Sequence, residues 1–277
     1  MVESDYLPLI SLALREDLGD LGDVTSQAVV PDEQGAAALW SKDTGILAGE
    51  AVFSAVFRQI DPQTTVSFSM HDGAALRKGD RVAGVRGKTA SLLAGERTAL
   101  NFISFLSGIA TATHSLAALA RDSGHAVILD TRKTLPGWRA LSKYAVTVGG
   151  GKNHRQGLYD MILIKDNHVD AAGSIAAAVR RVRDRWGTRF TVEVECRNDA
   201  EVEDALDAGA DIIMLDNMDP DRMREEVRHI AGRAKVEASG TMNANTVPAA
   251  SAAGVDYISV GALTHSVRSF DFSLKID

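Results

Sequence analysis

Cysteine is almost missing from this sequence: its 277 residues hold one, Cys196. A lone thiol closes no internal disulfide, and no His/Cys cluster stands at metal-ligand spacing. Disulfide scaffolds and zinc modules are therefore excluded. A positive excess is missing too, with 30 Lys+Arg against 37 Asp+Glu and a net charge of −7. A sequence-independent nucleic-acid binder needs a basic surface that displaces counterions, so none is expected. No apolar run approaches the ~20 residues of a membrane span. Met1-Val2-Glu3-Ser4-Asp5 lacks a basic region followed by an apolar one, so no secretory signal is expected. No Gly-x-Gly-x-x-Gly turn follows any predicted strand, which weakens a dinucleotide-binding fold. The expectation is a cytoplasmic protein with no membrane and no nucleic acid among its partners.

What is present has the mix of an ordinary globular chain, 45% hydrophobic and 24% charged. At ~150 residues per domain its length predicts two domains, or one barrel with an extension. The first ~110 residues mix short strands with helices. Ala36–Trp40 and Thr64–Met70 read as strands and Glu50–Ile60 as a helix. Residues 72–80 carry Asp-Gly and Lys-Gly-Asp turn chemistry. A helix is predicted from about Ser91 to Leu106, with Leu92, Leu93, Leu100, Ile103 and Leu106 near helical spacing.

From about residue 125 short apolar runs alternate with helical segments. The runs are Ala126–Leu129, Met161–Ile164, Phe190–Val194, Ile212–Leu215, Lys235–Ala238 and Val255–Val260, with a seventh suggested near Ala145–Val148. They start 35, 29, 22, 23 and 20 residues apart, the rhythm of βα units around a parallel sheet. A barrel suits this number better than an open sheet. The alternating tail from Phe270 to Ile276 reads as a strand that leaves the barrel and joins the first domain. The predicted organisation is a first domain over 1–110, completed by a strand at 269–277, and a barrel over 111–268.

In a βα barrel the chemistry sits at the C-terminal ends of the strands. The first run is followed by Asp130, Thr131, Arg132 and Lys133, the second by Lys165, Asp166, Asn167 and His168. The third ends at Glu195, the fourth at Asp216-Asn217, the fifth at Ser239-Gly240 and the sixth at Gly261. All six ends are polar or glycine, which loop polarity alone explains poorly. Any one Lys or Arg is ordinarily a solvated charge; the clustering of Arg132, Lys133 and Lys165 reverses that. Gly149-Gly150-Gly151 leads into Lys152, His154 and Arg155 and reads as a ligand loop more readily than as a connector.

Between 130 and 168 seven Lys/Arg meet three Asp, a surplus of +4 in a chain of net −7. A basic pocket in an acidic protein points to a small polyanion. Arginine suits carboxylates and phosphates because its planar fork donates two parallel hydrogen bonds. Glu195 and Asp216 would face that pocket and hold Mg²⁺ beside a phosphate, or sugar hydroxyls. Glu193 and Glu195 point the same way in a strand, and Glu195, nearer the end, is the better candidate. Ser239-Gly240 and Gly261 lie where barrels bind phosphate on backbone N–H groups. His154 and His168 are acid–base candidates or hydrogen-bonding spacers. His71, His114, His125, His229 and His265 have no supporting neighbours. Cys196 reads as a small core residue.

These residues resemble the bacterial quinolinate phosphoribosyltransferases over nearly the whole chain. The resemblance is carried by Glu16-Asp17-Leu18-Gly19, Gly95-Glu96-Arg97-Thr98-Ala99-Leu100-Asn101 and Leu106-Ser107-Gly108. It is strongest in residues 130–137, 149–157 and Ile164-Lys165-Asp166-Asn167-His168, and continues in Met214-Leu215-Asp216-Asn217 and Val260-Gly261-Ala262-Leu263-Thr264.

The resemblance implies an α/β fold: an N-terminal open α/β sandwich plus an incomplete (β/α) barrel of parallel strands. It implies a homodimer in which Arg97 reaches the partner's site. It implies transfer of phosphoribose from phosphoribosyl pyrophosphate to quinolinate, with Mg²⁺, giving nicotinate mononucleotide, pyrophosphate and CO₂. By the family pattern Arg97, Arg132, His154, Arg155 and Lys165 hold the dicarboxylate, with Thr131 nearby. Lys133, Glu195 and Asp216 serve the reacting phosphoribosyl group, the two carboxylates with its Mg²⁺. Ser239, Gly240 and Gly261 hold a phosphate, with Thr241 and Ser259 in the same set. Two departures stand out: Thr241-Met242 where the family often continues with glycine or asparagine, and Trp138 where leucine is usual. Three alternatives remain at this point: a paralogue found with molybdenum-transport systems, a Schiff-base aldolase using Lys165, and a non-catalytic sensor of phosphoribosyl pyrophosphate.

Overall fold

The computed structural model describes residues 2–276. Met1 and Asp277, the outermost residues of the predicted first domain and tail, lie outside them. Contacts divide the chain into two units. One holds residues up to 114, 134–150 and 266 onward; the other holds 115–133 and 151–265.

The first unit begins with helices α1 (Leu7–Leu18) and α2 (Val24–Val29). Pro8 sits in the first turn of α1, where its missing N–H costs no bond. The Asp23 side chain caps α2 by accepting the Thr25 and Ser26 N–H groups. Then come β1 (Gln34–Ser41), β2 (Gly45–Ile46), α3 (Glu50–Ile60), β3 (Thr65–Phe68), β4 (Ala75–Leu76) and β5 (Arg81–Lys88). Helix α3 buries Val52, Phe53, Val56 and Phe57, one face of a 3.6-residue period. Phe53 meets Phe57 and Phe68 edge-on, with ring centroids 5.2 and 5.7 Å apart. Its N-terminus is held by Asp72, whose Oδ1 accepts the Gly49 and Glu50 N–H groups.

Helix α4 (Thr89–Ser123) runs 35 residues, well past the predicted end at Leu106, and the division between units falls within it. It is long and apolar enough to cross a membrane, against the expectation from single runs. Yet 56% of its most apolar stretch is buried inside the protein, the mark of a core helix.

The chain continues through β6 (Val127–Leu129), α5 (Arg139–Val148), β7 (Ile162–Ile164), α6 (Asp166–Ala172), α7 (Ile175–Trp186), β8 (Val192–Cys196) and α8 (Asp199–Asp207). After these come β9 (Ile212–Asp216), α9 (Pro220–Ile230), β10 (Lys235–Ser239), α10 (Val247–Ala252), β11 (Tyr257–Ser259), the single turn α11 (Ala262–His265) and β12 (Phe272–Ile276). The seventh run, Ala145–Val148, is not a strand but the end of α5, which buries Leu141, Ala145 and Val146 on one face. Contacts group α5 and the loop before it with the first unit. Strand β12 pairs antiparallel with β1, Leu274 opposite Leu39, in a sheet ordered β12-β1-β5-β3.

The second unit is a parallel sheet of six strands ordered β6-β11-β10-β9-β8-β7. It is unclosed, with β6 and β7 at its edges, and helices separate the successive strands. The register sets Ser239 beside Asp216, Glu195 beside Met214 and Ser259 beside Leu129, so the C-terminal ends stand level. The free edge of β6 is extended by Lys152, whose N–H donates to Ile128 O at 2.9 Å. At the opposite end a device repeats. Asp211 accepts the Val192 N–H at 2.7 Å, and Asp256 accepts the Val236 N–H at 2.9 Å. Each carboxylate satisfies a donor at the start of a neighbouring strand, a group that is costly to bury unpaired.

Candidate active site

Two cavities open at the C-terminal ends of the second unit's strands. One, of about 300 Å³, is lined by Thr131, Arg132, Lys133, His154, Arg155, Leu163, Lys165, Met214, Ser239 and Ser259. The other, of about 630 Å³, shares Thr131, Lys133, Lys165, Ser239 and Ser259 and adds Glu195, Asp216, Gly240, Thr241 and Gly261. All the predicted site residues but Arg97 line one or both. Arg97 is exposed on α4 in the first unit and lines a separate cavity with Glu16, Asp17, Asn101 and Trp138. Trp138 stacks on Phe102 at 4.8 Å there.

The cations are held by short loops. The Thr131 hydroxyl accepts the Lys133 N–H at 3.0 Å, and Thr264 donates its hydroxyl to Lys133 O at 2.8 Å. Arg132 Nε is buried with no hydrogen-bond partner among the described residues. A guanidinium donor shut away from water without an acceptor is suited to bind a carboxylate or phosphate oxygen. Burial, with Arg132 beside it, lowers the pKa of Arg155. Lys165 is half-exposed and pairs its Nζ with Glu195 Oε2. A lysine neutralised by a carboxylate lacks the desolvated or cation-flanked setting of a Schiff-base nucleophile.

His154 lines the cationic cavity, yet its ring bonds inward. Nδ1 accepts the Arg155 N–H at 2.7 Å, which leaves the proton on Nε2. Nε2 then faces Glu193 Oε2 at 2.9 Å and Glu237 Oε2 at 3.7 Å. The His154 N–H donates to Asp130 Oδ1 at 3.0 Å. Beneath it Glu193 and Glu237 are shut off from solvent. Burial pushes both carboxyls up, Glu193 to about 7 and Glu237 to about 8, and the neighbouring carboxyl raises Glu237 further. Glu193 Oε1 and Glu237 Oε2 have no donor among the described residues. One proton held between the two carboxyls satisfies both, the arrangement of close carboxyl pairs.

The second cavity has a different character. Asp216 Oδ2 accepts the Asn217 side-chain N–H at 2.9 Å. Gly240 has φ +101, and a Cβ there would lie 2.2 Å from Asn217 Oδ1, so only glycine fits. Asn217 and Thr241 both have positive φ, 54 and 48, which asparagine adopts more readily than most residues but which is strained for a β-branched one. Thr241, singled out in the sequence as a departure, thus holds a conformation that glycine or asparagine takes more readily.

Some residues were missed. Met242, Asn243 and Ala262 also line the larger cavity, as do Asn217, read at its strand end without a role, and His265, read as having no supporting neighbours. Each stands within a few residues of a strand end, so reading further past those ends would have found them. Other readings change. His168 is a spacer, its Nδ1 accepting the Lys165 N–H. The triple glycine packs and turns the chain: a Cβ on Gly149 would lie 2.4 Å from Ala110 O, and Gly150 takes φ +91.

Family models describe both parts of the chain. Residues 23–107 match the N-terminal domain of quinolinate phosphoribosyl transferase, and residues 109–275 match its C-terminal domain. A probable carboxylating nicotinate-nucleotide pyrophosphorylase of Bacillus subtilis is 44% identical, over 97% of this chain and 92% of its own length. A decarboxylating quinolinate phosphoribosyltransferase of Nicotiana tabacum is 43% identical, over 99% of this chain and 83% of its own. The crystal structure of NadC from Streptococcus pyogenes superposes with a TM-score of 0.95 at 40% identity, covering 100% of this chain and 98% of that one.

Proposed function

The chain belongs to the quinolinate phosphoribosyltransferase family and has that activity in the de novo synthesis of NAD, and from this premise we propose which of its residues perform the reaction. The observation that carries the assignment is the buried, unpartnered Arg132 Nε in a cavity shared with Arg155 and Lys165. Quinolinate has two carboxylates, and these three cations match them. Each charge-assisted hydrogen bond is worth roughly 1.5–3 kcal/mol, enough in sum to orient the ring.

The larger cavity takes phosphoribosyl pyrophosphate. Lys133 counters its phosphates, and Ser239, Gly240, Thr241, Ser259 and Gly261 supply small hydroxyl and backbone contacts. The ring nitrogen attacks ribose C1 as the C1–O bond to pyrophosphate breaks. Positive charge develops at C1, and Glu195 and Asp216 stabilise it electrostatically. The bond to the carboxylate beside the nitrogen then breaks. Its electron pair stays on the ring carbon next to the cationic nitrogen, and that carbon takes a proton. The substituted pyridinium is its own electron sink.

Mg²⁺ fits Glu195 and Asp216, because it takes hard oxygen ligands and commonly one or two carboxylates plus substrate phosphates. When bound it would neutralise charge on the departing pyrophosphate. Arg97 completes the dicarboxylate pocket from the partner subunit of a homodimer. The two-part organisation, a first domain closed by the tail strand and a barrel carrying the site, belongs to the same reading, as does a cytoplasmic location.

Turnover of quinolinate with phosphoribosyl pyrophosphate and Mg²⁺, followed as nicotinate mononucleotide and CO₂, is the test. Product from quinolinate and none from nicotinate supports the assignment of three cations to two carboxylates. Equal use of both overturns it. Mixing Arg97→Ala with Lys165→Ala subunits tests the dimer: recovered activity supports a shared site, and none argues that Arg97 acts elsewhere.

A further inference from the structure

His154, Glu193 and Glu237 bring their ligand atoms within 4.8 Å of one another, with side chains 7%, 0% and 1% exposed. Such a set resembles a metal site, but the hydrogen bonds exclude it. Nδ1 of His154 accepts the Arg155 N–H, so Nε2 must keep its proton and has no lone pair for a cation. What the cluster does hold is a chain of hydrogen bonds. Ser259 donates its hydroxyl to Glu237 Oε1 on the neighbouring strand. Glu237 adjoins Glu193 and His154 from across the sheet interior. His154 donates to Glu193 and accepts from Arg155. The chain ends at the backbone of an arginine that lines the cationic cavity.

We propose that Glu237 is a positioning residue for quinolinate: through His154 it fixes the ring that receives the Arg155 N–H, and so sets where the Arg155 guanidinium stands. Glu237 lines neither of the two cavities. Its neighbours are Ser259, whose hydroxyl it accepts, Glu193, and His154 Nε2 at 3.7 Å. An apolar side chain there leaves the Ser259 hydroxyl and one face of His154 without partners. The ring can then turn and release the Arg155 backbone. Glutamine keeps the pattern, since its carbonyl accepts from Ser259 and its amide donates to Glu193. The proposal rests on the assignment of Arg155 to the dicarboxylate.

The experiment compares Glu237→Leu, Glu237→Gln and Arg155→Ala in steady-state kinetics with both substrates varied. Glu237→Leu is expected to raise KM for quinolinate about tenfold or more while KM for phosphoribosyl pyrophosphate moves less than about threefold; Glu237→Gln stays within about threefold on both. Equal effects of Leu and Gln, or equal shifts in both KM values, overturn the proposal. Arg155→Ala separates the two layers: if it leaves the quinolinate KM unchanged, the assignment of Arg155 has failed, whatever Glu237 does. Should Glu237→Leu not fold, Glu237→Met, closer in shape to glutamate, removes the same partners and carries the same expectation. Nitrogen-15 NMR of the unmodified enzyme gives an independent reading. A neutral His154 protonated on Nε2 agrees, and a proton on Nδ1 overturns the proposal.

Discussion

At the N-terminal end of the parallel sheet, Asp211 and Asp256 are tied to backbone N–H groups of the next strands and to Arg183 and Lys235. At the C-terminal end, Glu195 and Asp216 have no such backbone donor among the described residues; they bond only to the side chains of Lys165 and Asn217 and face open cavity. The residue types match, but the first pair completes the sheet's own hydrogen bonding and the second is left over for something else. Arg183 is spent on the carbonyls of Gly187, Phe190 and Gly209, while Arg132 keeps a buried Nε unpaired. Function in this unit is visible as polar capacity that folding does not use.

Substitutions at the two ends should therefore read out differently. The largest effect belongs to the C-terminal end. Arg132→Ala or Lys165→Ala is expected to cost about 100-fold or more in kcat/KM, equivalent to ~2.7 kcal/mol, with the denaturation midpoint little changed. Activity within a few-fold of the unmodified enzyme would break the comparison.

The layer between the ends, Glu193 and Glu237, controls pH dependence of stability. Burial raises their folded-state pKa above the unfolded value near 4.5. Their stability contribution is therefore fully present below about pH 4.5 and is lost as pH rises through 7 and 8. Each retained proton gives a slope of about 1.4 kcal/mol per pH unit, so the two groups together give about twice that until pH nears 7. Glu237→Gln removes one titrating group, and denaturant melts across pH 5–8 should show a flatter decline. An unchanged slope would place the proton elsewhere.

At the N-terminal end, Asp256→Ala should cost about 1–3 kcal/mol of stability by orphaning the Val236 N–H, and leave kcat/KM within about twofold. A large activity loss without destabilisation would reverse the roles of the two ends. The smallest effect is expected at Thr241. Glycine there escapes the left-handed strain of roughly 1–2 kcal/mol but loses more chain entropy, for a net gain of about 0.5–1 kcal/mol seen as a raised Tm. A lowered Tm would mean that the threonine methyl or hydroxyl makes contacts worth more than the strain.

Much of this was readable before any coordinates. All six apolar runs became strands, because β-branched and aliphatic residues bounded by turn chemistry have few other uses at that length. Reading just past each run found about half of the residues that line the two cavities, and the glycine-rich loop added His154 and Arg155. The seventh run failed for a known reason: a short apolar stretch such as Ala145–Val148 looks alike in a strand and on the buried face of a helix. Helix α4 runs past its predicted end at Leu106 and through Gly108, where Arg268 O would lie 2.3 Å from a Cβ. Glu237 was invisible because it lies mid-strand, where its charge reads as a solvent-facing alternation. The inward partners Glu193 and His154, on other segments, are what make it a buried carboxyl. His154 was picked out as a candidate for substrate binding, but no sequence pattern shows that both ring nitrogens bond within the protein.

The pairing of β12 with β1 bears on how the chain is made. Strand β1 leaves the ribosome more than two hundred residues before its partner Phe272–Ile276 exists. At 5–20 residues per second, that is a wait of roughly ten to fifty seconds. Throughout it Ala37, Leu39 and their neighbours form an unpaired sheet edge, the kind that recruits other strands. The barrel segment is synthesised entirely within that interval and can fold first. A ribosome stalled before residue 272 should therefore hold a second unit resistant to protease and a first unit that is cut. Release of the last strand would be the event that seals it.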